Sequence, residues 1–225
     1  MRINARFFVR KSEEETSFPM VLRLCVFFAG LGCVAFGVAV TTKALLGTTP
    51  IAAIPYSMSL ILPSVSFGAC VIVFNLLLIA AEWLLLRGRI RFWAIFLQAF
   101  LACIFGTCVD GSMFVLLGFD PHSYLSRLLW VAGGSLLIGV GAFLTIRANI
   151  AVLPYDAFVL ALATATAKDF GRLRMLCDVC TSALALVLCW LVLNDLAGVR
   201  EGTILASLLT SPVIRLLMRL GKKPA

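Results

Sequence analysis

The residues of this chain able to do chemistry are few, and they lie inside or beside long apolar runs. Asp178 falls within Leu173–Leu193 and Asn75 within Phe67–Leu86, each seven residues past the glycine of a Phe-Gly pair, Gly171 and Gly68. At 1.5 Å per residue, seven residues is about 10 Å into a helix. An acid at that depth in a bilayer costs about 2.5–3.5 kcal/mol, so it needs a role or a partner. The functional reading is a substrate or proton site with Asp178 as the titrating group. The structural reading is an interhelical hydrogen bond that fixes packing.

A second group surrounds two prolines. Thr48, Thr49 and Pro50 precede a short apolar run from Ile51 to Leu62, and Pro154, Tyr155 and Asp156 open another from Tyr155 to Ala165. A proline suits the first turn of a helix because its missing N–H would have no partner there. Thr48 or Thr49 is placed to cap the first short helix. Asp156 sits where the helix dipole favours a carboxylate. Ala52 at the equivalent place leaves the other N-terminus uncompensated and open to an anion.

The remaining candidates are weaker. Asp110, late in the run Phe92–Leu117, reads as a gate or an interfacial residue. Glu82 reads as a partner of Arg87, and Arg215 as a snorkelling cation. His122 stands alone in a loop, which makes no metal site. Cys177-x-x-Cys180 has redox spacing but sits among apolar residues, as do the other six cysteines, and there cysteine behaves as a small hydrophobe. No G-x-S-x-G, H-E-x-x-H or Gly-Lys-Ser/Thr phosphate loop occurs. The chain is therefore read as no enzyme, with no catalytic residue, cofactor or metal.

The elements that position these residues follow from composition. With 62% hydrophobic and 13% charged residues, the chain holds more apolar surface than a soluble domain of 225 residues buries. Six stretches reach the roughly 20 apolar residues of a span: Met20–Thr42, Phe67–Leu86, Phe92–Leu117, Leu128–Ile146, Leu173–Leu193 and Thr203–Leu220. The two short runs are too short to cross, and read as half-helices that enter and leave by one face. Broken backbone at membrane depth must be enclosed by protein, which puts residues 44–49 and 148–153 in the interior. The net charge of +8 is assigned to span ends rather than to a nucleic-acid surface.

An internal repeat organises the whole. An offset of 104 relates Ala44–Pro50 to Ala148–Pro154, and upstream Gly30 to Gly134, Gly37 to Gly141, Thr41 to Thr145 and Lys43 to Arg147. Offsets of 103 and 105 continue it through Asn75 and Asp178, then Gln98 and Thr203. Gly30, Gly32 and Gly37 in the first span, and Gly133, Gly134, Gly139 and Gly141 in the fourth, predict close packing of those two helices. With the N-terminus inside, the Arg87–Arg91 loop, Arg147, Lys168, Arg172, Arg174 and the C-terminal Arg219, Lys222 and Lys223 fall on the cytoplasmic side. Lys43, residues 63–66, Asp120–Arg127 and Asn194–Glu201 are left outside. Three spans per copy makes the copies inverted.

The fold class read from this is an all-α polytopic membrane protein: six transmembrane helices plus two re-entrant half-helices, built as two inverted repeats. The domains are a basic tail (1–19), repeat 1 (20–117), an outer linker (118–127), repeat 2 (128–220) and a second cytoplasmic tail (221–225). The G-x5-[KR]-A-x-[LI]-x3-P pattern at Gly37–Pro50 and Gly141–Pro154, the Phe67-Gly68 and Phe170-Gly171 pairs and Gly202-Thr203 resemble the YczE-like (YczE/YyaS/YitT) bacterial integral membrane proteins. That resemblance implies the bacterial cytoplasmic membrane and a family without an established general activity, and it supplies no catalytic residues. The sequence departs from the pattern at Ala52, Ala151 and Ser211.

Two functions fit. One is a secondary transporter or channel-like permease for a small solute, with a midplane site made by Thr48, Thr49, Pro50, Asn75, Pro154, Tyr155, Asp156 and Asp178. The other is a non-transporting accessory or regulatory protein acting through helix–helix contacts. The partners implied are the lipid bilayer, a small solute, and a second copy or another membrane protein.

Overall fold

The computed structural model describes residues 19–88, 90, 92–194 and 198–220, with the backbone alone at 211, 215, 219 and 220. The basic tails, Arg89, Arg91 and the side chain of Arg215 thus lie outside the described residues. Among the described residues the chain is all helix: α1 (Met20–Lys43), α2 (Pro50–Ile61), α3 (Phe67–Leu85), α4 (Phe92–Val115), α5 (Tyr124–Ala148), α6 (Pro154–Thr166), α7 (Phe170–Leu193) and α8 (Glu201–Leu220). Six of them are long and apolar enough to cross a membrane. The protein is a polytopic membrane protein. Helix α2 has 12 residues and α6 has 13 residues. Helices of that length reach about 18–20 Å, short of the roughly 30 Å hydrocarbon core.

The helix starts follow local chemistry. Ser66, Ser123 and Asp169 accept from the backbone N–H groups of Ala69, Ser126 and Arg172, capping α3, α5 and α7. These polar caps carry α5 and α7 back to Tyr124 and Phe170, four and three residues before the apolar runs begin. Pro50 and Pro154 open α2 and α6 as expected, but the N-cap Thr49 makes no side-chain bond. Glu82 is within hydrogen-bonding reach of Gln98 on α4, which corrects the pairing with Arg87 that its sequence position suggests.

The core is the crossing of α1 and α5. A Cβ on Gly30 would lie 2.8 Å from the Gly141 carbonyl oxygen, and one on Gly37 2.7 Å from that of Gly134. Only glycine lets these backbones meet. The two contacts run in opposite order along the helices, which are therefore antiparallel. Adding 104 to one partner and subtracting it from the other turns the first contact into the second. Gly139 instead meets Val213 of α8, while Gly32 and Gly133 face open space. Around this pair α4 packs on α1 and α8 on α5, while α2 packs on α7 and α6 on α3.

The first break is enclosed, with Ala44, Leu46, Thr48 and Thr49 buried, whereas Asn149 and Val152 are exposed in the second, which corrects the expectation that residues 148–153 all lie in the interior. Leu45 and Asn149, 104 residues apart, each take a left-handed conformation, at φ 60° and 47°. The carbonyls freed beyond the helix ends find donors. Gly202 N–H reaches Leu46 O at 2.8 Å, and Arg23 reaches Ala148 O and Asn149 O at 3.0 and 2.6 Å. Gly47, at φ 96°, lies so close to Arg200 and Thr203 that a side chain would not fit.

Candidate functional site

The polar groups converge where α6 begins. Tyr155 and Asp156 follow Pro154 in its first turn, and Arg174 and Asp178 stand one turn apart on α7, which places both on one helix face. Arg174 forms an ion pair with Asp156. Its guanidinium lies 5.3 Å from the centre of the Tyr155 ring, within range of a cation–π contact. The Tyr155 hydroxyl donates to Asp178 Oδ1 at 2.5 Å, the short distance of a charge-assisted bond. The result is a chain Asp156–Arg174–Tyr155–Asp178, two acids to one guanidinium. The Arg174 and Asp156 side chains keep 31% and 33% of their exposure, so the pair is within reach of solvent or ligand and is screened accordingly.

Around this chain lies an apolar shell. Tyr155 and Val159 are buried with Leu173, and Phe74 and Leu78 of α3 pack against them. Ile51, in the first turn of α2, packs against the same cluster.

Not every residue expected at the site joins the network. Thr48 is buried and shares a 2.8 Å hydrogen bond with Thr42, whose hydroxyl also reaches Val38 O. Thr49 and Pro50 are buried on the segment leading into α2. Asn75 donates to Val71 O in its own helix at 2.8 Å, so its amide is turned along α3, unlike Asp178 at the equivalent position. Asp110, read as a gate residue, fastens two helices: Oδ1 accepts from Gly68 N–H and Oδ2 from the Ser66 hydroxyl, both at 2.6 Å. Arg174 reads in the sequence as a topology marker near a span end, and that reading misses its part in the network. Its spacing of four from Asp178 is the available sign.

At the turn from α6 to α7 the surface is hollowed along one face of α7, lined by Lys168, Arg172, Met175, Leu176 and Val179 and by none of the four network residues. All eight cysteines are free, Cys177 and Cys180 included. Among the described residues no three His, Cys, Asp or Glu side chains gather as a metal site.

No curated protein and no solved structure matches the chain. A family model matches residues 21–219, from the first turn of α1 to the last of α8. The whole helical bundle that holds the Asp156–Arg174–Tyr155–Asp178 chain is thus the family's common unit, and the protein belongs to DUF6198, a family of unknown function.

Proposed function

We propose that the chain is a secondary transporter or channel-like permease for a small solute, with its site at the junction where α2 and α6 begin. The observation that carries this reading is the ion pair and hydrogen bond among Asp156, Arg174, Tyr155 and Asp178 inside an otherwise apolar assembly. Ionisable residues in membrane helices are expensive and mark ion or solute pathways. One more carboxylate than guanidinium leaves the cluster formally negative when fully ionised. A proton or a cationic group neutralises it, so the solute is cationic or travels with a proton.

The architecture proposed with it is two inverted units, repeat 1 and repeat 2, in a bacterial cytoplasmic membrane with both termini inside. Support comes from contacts that exchange under the repeat offset: Gly30 with Gly141 and Gly37 with Gly134, then α2 on α7 and α6 on α3. In inverted-repeat transporters broken helices meet near the midplane, and rocking of one unit against the other alternates access.

The test is electrogenic uptake by proteoliposomes, screened against alkali cations, amino acids, polyamines and carboxylates with and without a pH gradient. A solute- or proton-dependent current is expected from the native protein, and its loss from Asp178→Asn and Arg174→Gln variants that stay folded. A current unchanged in both variants would remove the network from the pathway. Absence of any current, with crosslinking to another membrane protein, would favour the accessory role.

A further inference from the structure

We propose that Glu82 on α3 and Gln98 on α4 form a buried proton-binding pair. It is separate from the network on α6 and α7. Glu82 keeps 7% and Gln98 8% of their exposure, and the two side chains are within hydrogen-bonding reach of one another. Yet Glu82 Oε2 and Gln98 Oε1 are both buried without a partner.

The inventory of donors explains why. An ionised carboxylate only accepts, and the oxygen of a primary amide only accepts, whereas its nitrogen donates. An ionised Glu82 beside Gln98 therefore leaves two acceptor oxygens with nothing to receive. A single proton on the carboxyl supplies the missing donor: Glu82 O–H then faces Gln98 Oε1 while the amide N–H₂ faces the other carboxyl oxygen. The proton is taken up from hydronium in the bulk solvent, which leaves water, and adds to one carboxylate oxygen. Both unpartnered atoms are satisfied at once, and no net charge is left buried.

The surroundings favour a proton over a metal ion. Near Gln98, Leu97 and Leu101 of α4 pack with Phe27, Ala148, Ile150 and Ala151, and among the described residues no three His, Cys, Asp or Glu side chains gather as a metal site. The ionisable groups on the elements packed against α3 are Tyr56 on α2, Cys103, Cys108 and Asp110 on α4, and Tyr155 and Asp156 on α6. Asp110 is engaged at the opposite end of the α3–α4 pair, with Gly68. On α3 itself, Cys70 lies toward that same end and Arg87 follows the helix as an exposed turn residue. Among the described residues, Glu82 is buried beside the Gln98 amide. The second repeat has Ala185 and Thr203 at the corresponding places, so the chain carries one such pair.

The test is infrared difference spectroscopy of the purified protein at neutral pH, which needs no transport activity. The carbonyl stretch of a protonated carboxylic acid is expected in the native protein, in Asp178→Asn and in Tyr155→Phe, and is expected to vanish in Glu82→Gln. Gln98→Leu, which keeps the acid but removes the amide, should shift that band to higher frequency. It serves as the second arm should Glu82→Gln fail to fold. A native protein with no Glu82-dependent band overturns the proposal. A band that appears only when sodium is withdrawn, with sodium raising the melting temperature, overturns it in favour of a bound cation.

Discussion

The pairs α3–α4 and α7–α8 correspond under the 103- and 105-residue sequence offsets, and they pack differently. In the first, a Cβ on Gly68 would collide with the Gly106 carbonyl, so the backbones touch, and Asp110 ties the end of α4 to the start of α3. In the second, Gly171 meets only the Asp169 carboxylate at 3.2 Å, and α8 packs on α5 with no comparable contact to α7 among the described residues. Asp169 caps its own helix instead of receiving a tether. Much of α7 stays uncovered, with Met175, Val179 and Leu191 exposed. One pair is thus closed and the other open. The open pair carries Asp178 and Arg174, and the closed pair carries the Glu82–Gln98 contact.

The sharpest way to break this comparison is to make the same substitution in both halves. Gly68→Ala forces a methyl group into the Gly106 backbone and should cost about 3 kcal/mol or prevent folding. Gly171→Ala displaces only the end of the Asp169 side chain, by a few tenths of an ångström, and should change stability by less than about 1 kcal/mol, the helix preference of alanine offsetting that shift. Thermal unfolding in detergent separates the two outcomes. Equal losses would mean that α7 is as tightly covered as α3.

The tether gives the next largest effect. Asp110→Ala removes the acceptor of two hydrogen bonds at the start of α3, and should lower stability by about 2 kcal/mol. Hydrogen exchange should then rise in Phe67–Val71 while leaving Phe170–Arg174 unchanged. A matching rise in both segments would contradict the assignment of Asp110 to one half.

The smallest effect comes from the chain breaks. Leu45 and Asn149 hold the same left-handed conformation, but for a leucine it costs about 1 kcal/mol that asparagine largely avoids. Leu45→Asn should raise the unfolding free energy by up to that amount and Asn149→Leu should lower it, since the Leu45 side chain is itself exposed. Identical effects of the two changes would show that the breaks differ in conformation.

Much of this is legible in sequence because apolar length and glycine spacing are local properties. Six spans, two short helices opened by Pro50 and Pro154, and the Gly30–Gly37 face against Gly134–Gly141 all follow from them. Hydropathy misplaces the starts of α5 and α7 because it discounts a first turn held by Ser123 or Asp169. Arg174 stays hidden because a cation near a span end reads first as a topology marker; only the partner geometry shows that it pairs inward with Asp156. The open α7–α8 pair depends on which neighbour α8 chooses. Ser211 at the place of Gly106 is the one trace of it in the sequence.

The proposed site requires two short helices that start together and leave toward opposite faces of the bilayer. Under that proposal Ser64, beyond the end of α2, and Lys168, beyond the end of α6, mark the exits. In a cysteine-free background, Ser64→Cys should react with an impermeant maleimide on intact cells, and Lys168→Cys only after the membrane is opened. Labelling of both from the same side would contradict the mirrored arrangement and the central junction built on it.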